Sequence, residues 1–362
     1  MKIGIITQPL SRNYGGILQN YALQQTLKRL GHEPYTFDFK VHPGWGRWLK
    51  QVKRVILKGI TGRKAQYMMS PWRFAKMESY LRRFAEEHIS LVSPRMMLPT
   101  EAKVREYGFE ALISGSDQVW RPMYNRSITD MYLEFAAALD VKRIAYAASF
   151  GTDEWEYNER QEAACRALAQ GFDAVSVREE SGVRLCKEHF GIEAKHVLDP
   201  TMLLTATEYN TLLSNIPVAK DEYILAYILD TNPAKLTYIN NMANKIGMRV
   251  VMMGVENNIT RNDSIERWLS LFRDAKYVIT DSFHGCIFSL IYNIDFQAIG
   301  NIDRGLARMS SVLRLFDLTD RLIDESHIDR YVDNAIDWHK INAQMEELRS
   351  ESLAFLRDAL SK

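Results

Sequence analysis

The chain has 362 residues, a length that suits two domains or one large one. Hydrophobic residues make up 46% and charged residues 25%, which excludes disordered and fibrous classes. Lys and Arg number 46 against 45 Asp and Glu, so a formal charge of +1 excludes a wholly basic nucleic-acid binder while leaving room for local patches.

The sequence opens on MKIGIITQPL, whose apolar stretch is too short for a secretory signal, and no run of about 18 apolar residues follows that would span a membrane. Short apolar runs then alternate with helical patterns. Strands are expected at 3–6, 34–39, 111–114, 143–147, 174–177, 196–198, 223–228, 249–253, 277–280 and 296–299, with a first helix over 17–30 that ends at Gly31. Several of these runs are continuously apolar rather than alternating. Strands covered on both faces read this way, which predicts α/β architecture with parallel sheets. Asp199 and Pro200 close one strand series and a second begins near Glu222, so domains are expected at 1–212 and 213–362, with a cleft between two α/β halves. Residues 337–360 read as one long amphipathic helix. Cys165, Cys186 and Cys286 are too scattered for a disulfide framework, and no CxxC pair exists, so buried free thiols in a cytoplasmic setting and no metal site are expected.

The neutral total hides a basic stretch. Between Arg47 and Arg83 lie eleven Lys and Arg and one acid, Glu78. Trp45, Trp48, Leu49, Val52, Val55, Ile56 and Ile60 recur at helical spacing, with Arg47, Lys50, Lys53, Arg54 and Lys58 opposite. Two readings fit: a helix whose apolar face joins the core, or an interfacial helix that rests on an anionic membrane through 45–83. Nucleic acid is the poorer partner, because no basic module of a known type is present.

Five segments follow strands and carry groups suited to chemistry. Asn13-Tyr14-Gly15-Gly16-Ile17-Leu18-Gln19 offers two glycines and a helix start, either a plain tight turn or a place where backbone approaches a ligand. It is neither GxGxxG nor a P-loop, so dinucleotide and nucleoside triphosphate are poor fits. In Ser114-Gly115-Ser116-Asp117-Gln118-Val119-Trp120, Asp117 is a helix N-cap, a base or an acceptor for sugar hydroxyls, and Trp120 is placed to stack on a sugar ring. Arg178 ends the apolar strand 174–177, where a guanidinium is costly to bury without an anion, either a structural carboxylate or a ligand. His284, in Thr280-Asp281-Ser282-Phe283-His284-Gly285-Cys286, lies just past a strand and beside a glycine, as a core histidine, a general acid or an anion clamp. Arg304 and Arg308 flank Gly305, in a solvated loop or completing an anion site opened by His284.

In this order the pieces resemble the polysaccharide pyruvyl transferase family. The matching stretches are 13–23 (NYGGILQNYAL), 113–120 (ISGSDQVW), 142–151 (KRIAYAASFG), 176–182 (SVREESG), 197–201 (VLDPT) and 279–285 (ITDSFHG), while the basic segment, about 41–100, lies outside the pattern as an insertion. The resemblance implies two Rossmann-like domains in a GT-B-like arrangement, the C-terminal helix packing back on the N-terminal domain. It implies transfer of the enolpyruvyl group of phosphoenolpyruvate onto two sugar hydroxyls, giving a pyruvate ketal and phosphate, with no cofactor beyond that co-substrate. Arginines and a histidine hold the phosphoenolpyruvate anion in relatives. Carried over, that points to His284 and Arg178, and the expected donor side is completed by Ser282, Gly285, Arg304 and Arg308. Relatives often carry Arg where this chain has Ser282, which removes one expected cation that Arg304 or Arg308 would replace.

His284 would protonate the methylene carbon or the leaving phosphate, and Asp117 would deprotonate the acceptor. The acceptor side would comprise Asn13, Tyr14, Gly15, Gln19, Ser116 and Trp120. A polyprenyl-diphosphate-linked acceptor would suit a cytoplasmic enzyme resting on the inner leaflet of the plasma membrane during capsule or exopolysaccharide synthesis. Two rival readings are a nucleotide-sugar glycosyltransferase on the same fold and a non-catalytic scaffold in a glycan assembly complex.

Overall fold

The computed structural model describes residues 1–10, 13–39, 71–125, 127–253, 264–300, 306–324, 328 and 334–361. Two sheets organise these residues, and every described strand pair is parallel. The first holds β1 (Lys2–Ile6), β2 (Glu33–Phe39), β3 (Leu91–Met96), β4 (Ala111–Gly115), β5 (Lys142–Ala148), β6 (Ala174–Val177) and β7 (Lys195–His196), in the order β3-β2-β1-β4-β5-β6-β7. The second holds β8 (Tyr223–Tyr227), β9 (Arg249–Met253), β10 (Tyr277–Thr280), β11 (Phe296–Ile299) and β12 (Leu322–Ile323), in the order β12-β11-β10-β8-β9.

Both are doubly wound sheets. The first follows the Rossmann order 3-2-1-4-5-6 with one strand added, and the second the flavodoxin-like order 2-1-3-4-5. Each therefore has a switch point, between β1 and β4 in the first and between β8 and β10 in the second. Crevices open there beyond the carboxyl ends of the strands. β4 and β8 are buried at every position, as the uninterrupted runs ALISG and YILAY require when helices cover both faces.

Six helices bear on the site: α1 (Tyr14–Arg29), α2 (Pro71–His88), α3 (Ile265–Arg273), α4 (Phe283–Ile291), α5 (Ala307–Leu315) and α6 (Trp338–Ser361). α1 begins three residues before the expected start, because the Asn13 carboxamide accepts from Gly15 N (3.1 Å) and caps it. Its exit passes through Gly31 at φ 85°, a conformation glycine adopts without penalty. Within the basic stretch, residues 40–70 lie outside the described residues. Its last part is α2, whose Leu81, Phe84 and Ala85 join the core while Arg82 pairs with buried Asp38.

The expected division at 212/213 falls in the 3-10 turn Thr211–Leu213, between the two sheets. One apolar core nonetheless runs through both halves, from Ile3 and Leu18 to Trp268 and Phe288. α6 returns to the first sheet: Ser352 Oγ accepts from Leu198 N (3.0 Å), Phe355 lies against Tyr146 (6.2 Å between ring centroids), and Lys142 Nζ donates to Leu360 O (3.3 Å). Among the described residues no helix is long and apolar enough to cross a membrane.

Candidate active site

The two switch points face each other. α1 starts beyond β1, and the Asp117 turn starts beyond β4. From the other half, α4 starts beyond β10 with His284 in its first turn. The contact between them is close: a Cβ built on Gly15 would lie 2.0 Å from His284 Nδ1. Gly15 is thus required by the imidazole that presses on it. Gly16 leaves similar room for Asp117, whose Oδ2 would stand 3.1 Å from an added Cβ. The N-termini of two helices converge here, and helix dipoles at such ends favour an anion.

Arg178 enters from the end of β6 and is 5% exposed. Its Nε donates to Glu179 Oε1 (3.2 Å) and its Nη1 to Asp199 Oδ2 (3.1 Å). Burial opposes its charge, but Glu179, Asp199 and Asp117 outweigh that and raise its pKa. Asp199 is held in turn by Thr201 N (3.0 Å) and Thr201 Oγ1 (2.7 Å) on Oδ1 and by the Gln19 amide on Oδ2. Burial pushes its carboxyl up, yet Arg178, His284 and the Thr201 bonds bring it below the usual range. Glu179 also accepts from Ser149 Oγ (2.5 Å).

That reach depends on a bulge in β5, where Ala147 has φ 49° and the register with β6 shifts between Ala145 and Ala148. Ser176 Oγ fills the break, accepting from Ala147 N (3.1 Å) and donating to Ala145 O (3.0 Å). Bulges of this kind re-aim a strand end beside a site.

On the far side of the cleft, Phe283 lies against two cations, with the Arg178 guanidinium 4.7 Å and the Arg308 guanidinium 5.7 Å from its ring centroid. Arg308, half-buried on α5, is lowered to about 10 by burial and by Arg178, so it stays charged at neutral pH. His284 is lowered to about 4, first by burial, with Arg178 and Arg308 adding to it and Asp199 and Asp117 opposing. The imidazole is therefore neutral at pH 7. Buried polar atoms here without a hydrogen-bond partner among the described residues include Gln19 Oε1, Arg178 Nη2, Glu179 Oε2 and His284 Nε2. Buried polar atoms are nearly always paired, so this cluster is a candidate ligand position.

α4 is anchored by a buried ion pair. Asp281 accepts from Leu229 N (2.6 Å), Asp230 N (3.1 Å) and Lys235 Nζ (2.9 Å), tying the ends of β8 and β10 together just before His284. Tyr14 stacks on Trp268 across the seam (5.8 Å, 9° between planes), and Glu180 is joined to α5 by Ser311 (3.1 Å) and Arg314 (2.7 Å).

The structure thus gathers His284, Arg178, Arg308, Asp117 and Gly15 in one cleft. Ser282 occupies the N-cap position of α4, 5% exposed, with no side-chain cap bond. Asn13 caps α1. Arg304 lies outside the described residues.

Other expected roles change. Trp120 cannot stack on a sugar, because its ring is fully buried, stacked on Tyr132 (4.7 Å, 12°) and edged by Phe150, Phe172 and Phe190. At Gly285 a Cβ would stand 2.1 Å from Thr280 Oγ1, so this glycine lets α4 pack on its own strand. Gln19 and Ser116 bond each other (3.1 Å), and Gln19 holds Asp199, so they serve as supports. Asp117 caps no helix; its Oδ1 accepts from Gln118 N (2.9 Å) in a turn where its φ is 64°.

Sequence reading missed Asp199, Glu179 and Phe283, although Asp199 stands in the quoted VLDPT stretch. Burial raises the Cys165 and Cys186 thiols to about 12 and Cys286 further, so none is poised as a nucleophile. One group of described side chains has metal-ligand spacing, Glu87, His88 and Glu266 within 4.8 Å, and it shares no residue with the cleft.

Across 99% of this chain and 97% of the other, the structure is similar to the Staphylococcus aureus MnaA–UDP complex, with TM-score 0.52 at 10% identity. UDP-GlcNAc 2-epimerase from Methanocaldococcus jannaschii gives 0.49 at 12% identity over 96% and 92%. The likeness to MnaA concerns the fold alone: two Rossmann-like domains in a GT-B-like arrangement. No curated protein sequence matches the chain. The sequence model of the polysaccharide pyruvyl transferase family matches residues 13–303, and the chain belongs to that family. It is a transferase of polysaccharide biosynthesis, and the matched span holds every cleft residue above except Arg308.

The Gly15 contact yields a direct test. Gly15→Ala must displace the His284 ring or part the two helix starts. Overpacking of this kind typically costs about 1–3 kcal/mol. A lowered melting temperature and reduced turnover are expected. An unchanged melting temperature and rate would mean the seam is looser than the contact shows.

Proposed function

We propose that the protein transfers the enolpyruvyl group of phosphoenolpyruvate onto two hydroxyls of a polyprenyl-diphosphate-linked saccharide. The observation that supports this reading most directly is the convergence of Arg178, Arg308 and neutral His284, with unpaired Nη2 and Nε2 atoms, on two helix N-termini. A carboxylate and a phosphate on one small molecule need several charge-assisted donors, which Arg178 Nη2, Arg308, His284 Nε2 and the helix starts would supply. Ser282 leaves the cleft one cation short of many relatives, and Arg308 stands where it can supply the missing charge.

Protonation of the methylene carbon builds positive charge at C2. A sugar hydroxyl attacks C2, the C2–O bond to phosphate breaks, and a second hydroxyl closes the ketal. One hydroxyl proton offsets the proton delivered to carbon and the other leaves with phosphate. His284 is the proton carrier. It is neutral in the empty cleft, and an arriving dianion raises its proton affinity. Asp117, facing the cleft from the N-terminal half, takes the proton from the acceptor. Asp199 holds Arg178 in place and faces the imidazolium as its counter-charge. No cofactor or metal enters the scheme. The basic stretch 45–83 supports a lipid-linked acceptor by offering charge to an anionic leaflet.

Incubation with phosphoenolpyruvate and parallel free and lipid-linked saccharides tests the reading. Release of inorganic phosphate is expected, with a mass gain on the lipid-linked saccharide equal to pyruvic acid less water. Release of a nucleoside diphosphate from a sugar nucleotide, with no ketal, would overturn it.

A further inference from the structure

Trp120 is entombed, so the cleft needs another surface for the apolar face of a sugar. Two residues on, the 3-10 turn Pro122–Tyr124 carries two neighbouring exposed side chains, Met123 at 69% and Tyr124 at 48%. Scattered exposed apolar residues need no explanation. This pair differs because its turn is held rigidly. Asn125 Nδ2 donates to the carbonyls of Gln118 (3.3 Å), Val119 (2.8 Å) and Arg121 (2.9 Å), and Asn125 Oδ1 accepts from Gln8 Nε2 (2.9 Å). The Tyr124 ring is backed by the Arg121 guanidinium, 5.1 Å from its centroid. That guanidinium is fixed in turn by both Glu156 oxygens (2.9 and 2.7 Å) and by Gln118 Oε1 (3.0 Å).

The turn also adjoins the reacting groups. Gln118, whose carbonyl accepts from Asn125 and whose Oε1 accepts from Arg121, follows Asp117 directly, and its backbone N–H donates to Asp117 Oδ1 (2.9 Å). A stiff aromatic surface, braced from behind by a buried cation and open to solvent, suits the C–H face of a pyranose. We infer that Tyr124, braced by Arg121 and flanked by Met123, forms the acceptor sugar-binding platform, stacking on the saccharide and presenting its hydroxyls to Asp117. This rests on the transferase reading above and adds its acceptor subsite.

The test separates the platform from the chemistry. Saturation-transfer NMR with a panel of methyl glycosides reads sugar contact without turnover. Wild type and His284→Gln are expected to give signals from ring C–H protons, Tyr124→Ala to lose them, and Tyr124→Phe and Tyr124→Trp to keep them. In the ketal assay, Tyr124→Ala is expected to raise the acceptor KM about tenfold or more while the phosphoenolpyruvate KM stays within about twofold. Glycoside contact that depends on Tyr124 without any ketal formation would uphold the platform and overturn the transferase reading. No saturation-transfer signal from any glycoside with wild type, a Tyr124→Phe variant as poor as alanine in that measurement, or KM values that rise together for both substrates would each overturn the platform.

Discussion

Arg178→Met is expected to destabilise the protein by about 3–5 kcal/mol and to abolish phosphoenolpyruvate binding. The stability loss follows from what remains. Glu179 and Asp199, 0% and 2% exposed, would lie beside each other without their shared cation. Breaking a buried pair from one side is costly because the surviving charge has been taken out of water. The pH dependence gives the diagnostic. In the wild type Asp199 titrates below its ordinary value, so its contribution to stability is present above about pH 4 and lost as pH falls through the folded pKa. Removing Arg178 deletes that contribution and lets Asp199 protonate more readily. The gap between variant and wild type in urea unfolding should therefore be widest near pH 7 and shrink on acidification. Arg178→Lys keeps a charge but not the planar fork that serves Glu179 and Asp199 together, and should fall between. Adding Asp199→Asn to Arg178→Met should recover part of the loss. Equal unfolding midpoints for Arg178→Met and wild type at pH 7 would show that the cluster does not depend on this guanidinium.

The sheets were legible because their strands are buried on both faces. Runs such as 223–228 and 277–280 have little reason to be so apolar elsewhere. β3 escaped because Ser93, Pro94 and Arg95 interrupt it at an edge where only one neighbour must be satisfied. β12, two residues long, has no pattern to read. The site was legible where topology does the placing: segments after strands of a parallel sheet arrive at one end of it, so Gly15, Asp117, Arg178 and His284 could be named from position. What holds them was not. Arg178 and Asp199 are 21 residues apart and meet only because β6 and the segment after β7 are adjacent. Trp120 shows the opposite failure. An aromatic just past a strand end reads alike as ligand platform or core, and only the ring of Tyr132, Phe150, Phe172 and Phe190 settles that it is core.

His284→Gln is expected to lower kcat by about 10²–10⁴-fold, the usual scale of lost general-acid catalysis, while the protein stays folded. Glutamine retains a donor near the Nε2 position and so spares much of the binding. The stability profile provides a second readout. In the empty protein the histidine is lowered to about 4, against about 6.5 when unfolded. Above pH 6.5 neither state carries the proton and the group contributes nothing. As pH falls from 6.5 towards 4, the unfolded chain takes up a proton that the folded one refuses, so folding loses up to ~3 kcal/mol before levelling off. His284→Gln should lack this slope, becoming more stable than wild type near pH 4.5. The same low pKa gives the site its logic. A histidine already charged at rest would pair with Asp199 and Asp117 before any donor arrived. Under the proposed reaction the imidazole, held neutral by burial and by Arg178 and Arg308, would acquire its proton when a phosphate and a carboxylate outweigh those cations. Phosphoenolpyruvate binding near pH 6.5 should then draw in a proton, seen in calorimetry as a heat that scales with the ionisation enthalpy of the buffer. His284→Gln should bind with a buffer-independent heat. Buffer-independent heats for both proteins would mean that substrate does not load the imidazole and that the proton for the methylene carbon comes from another group.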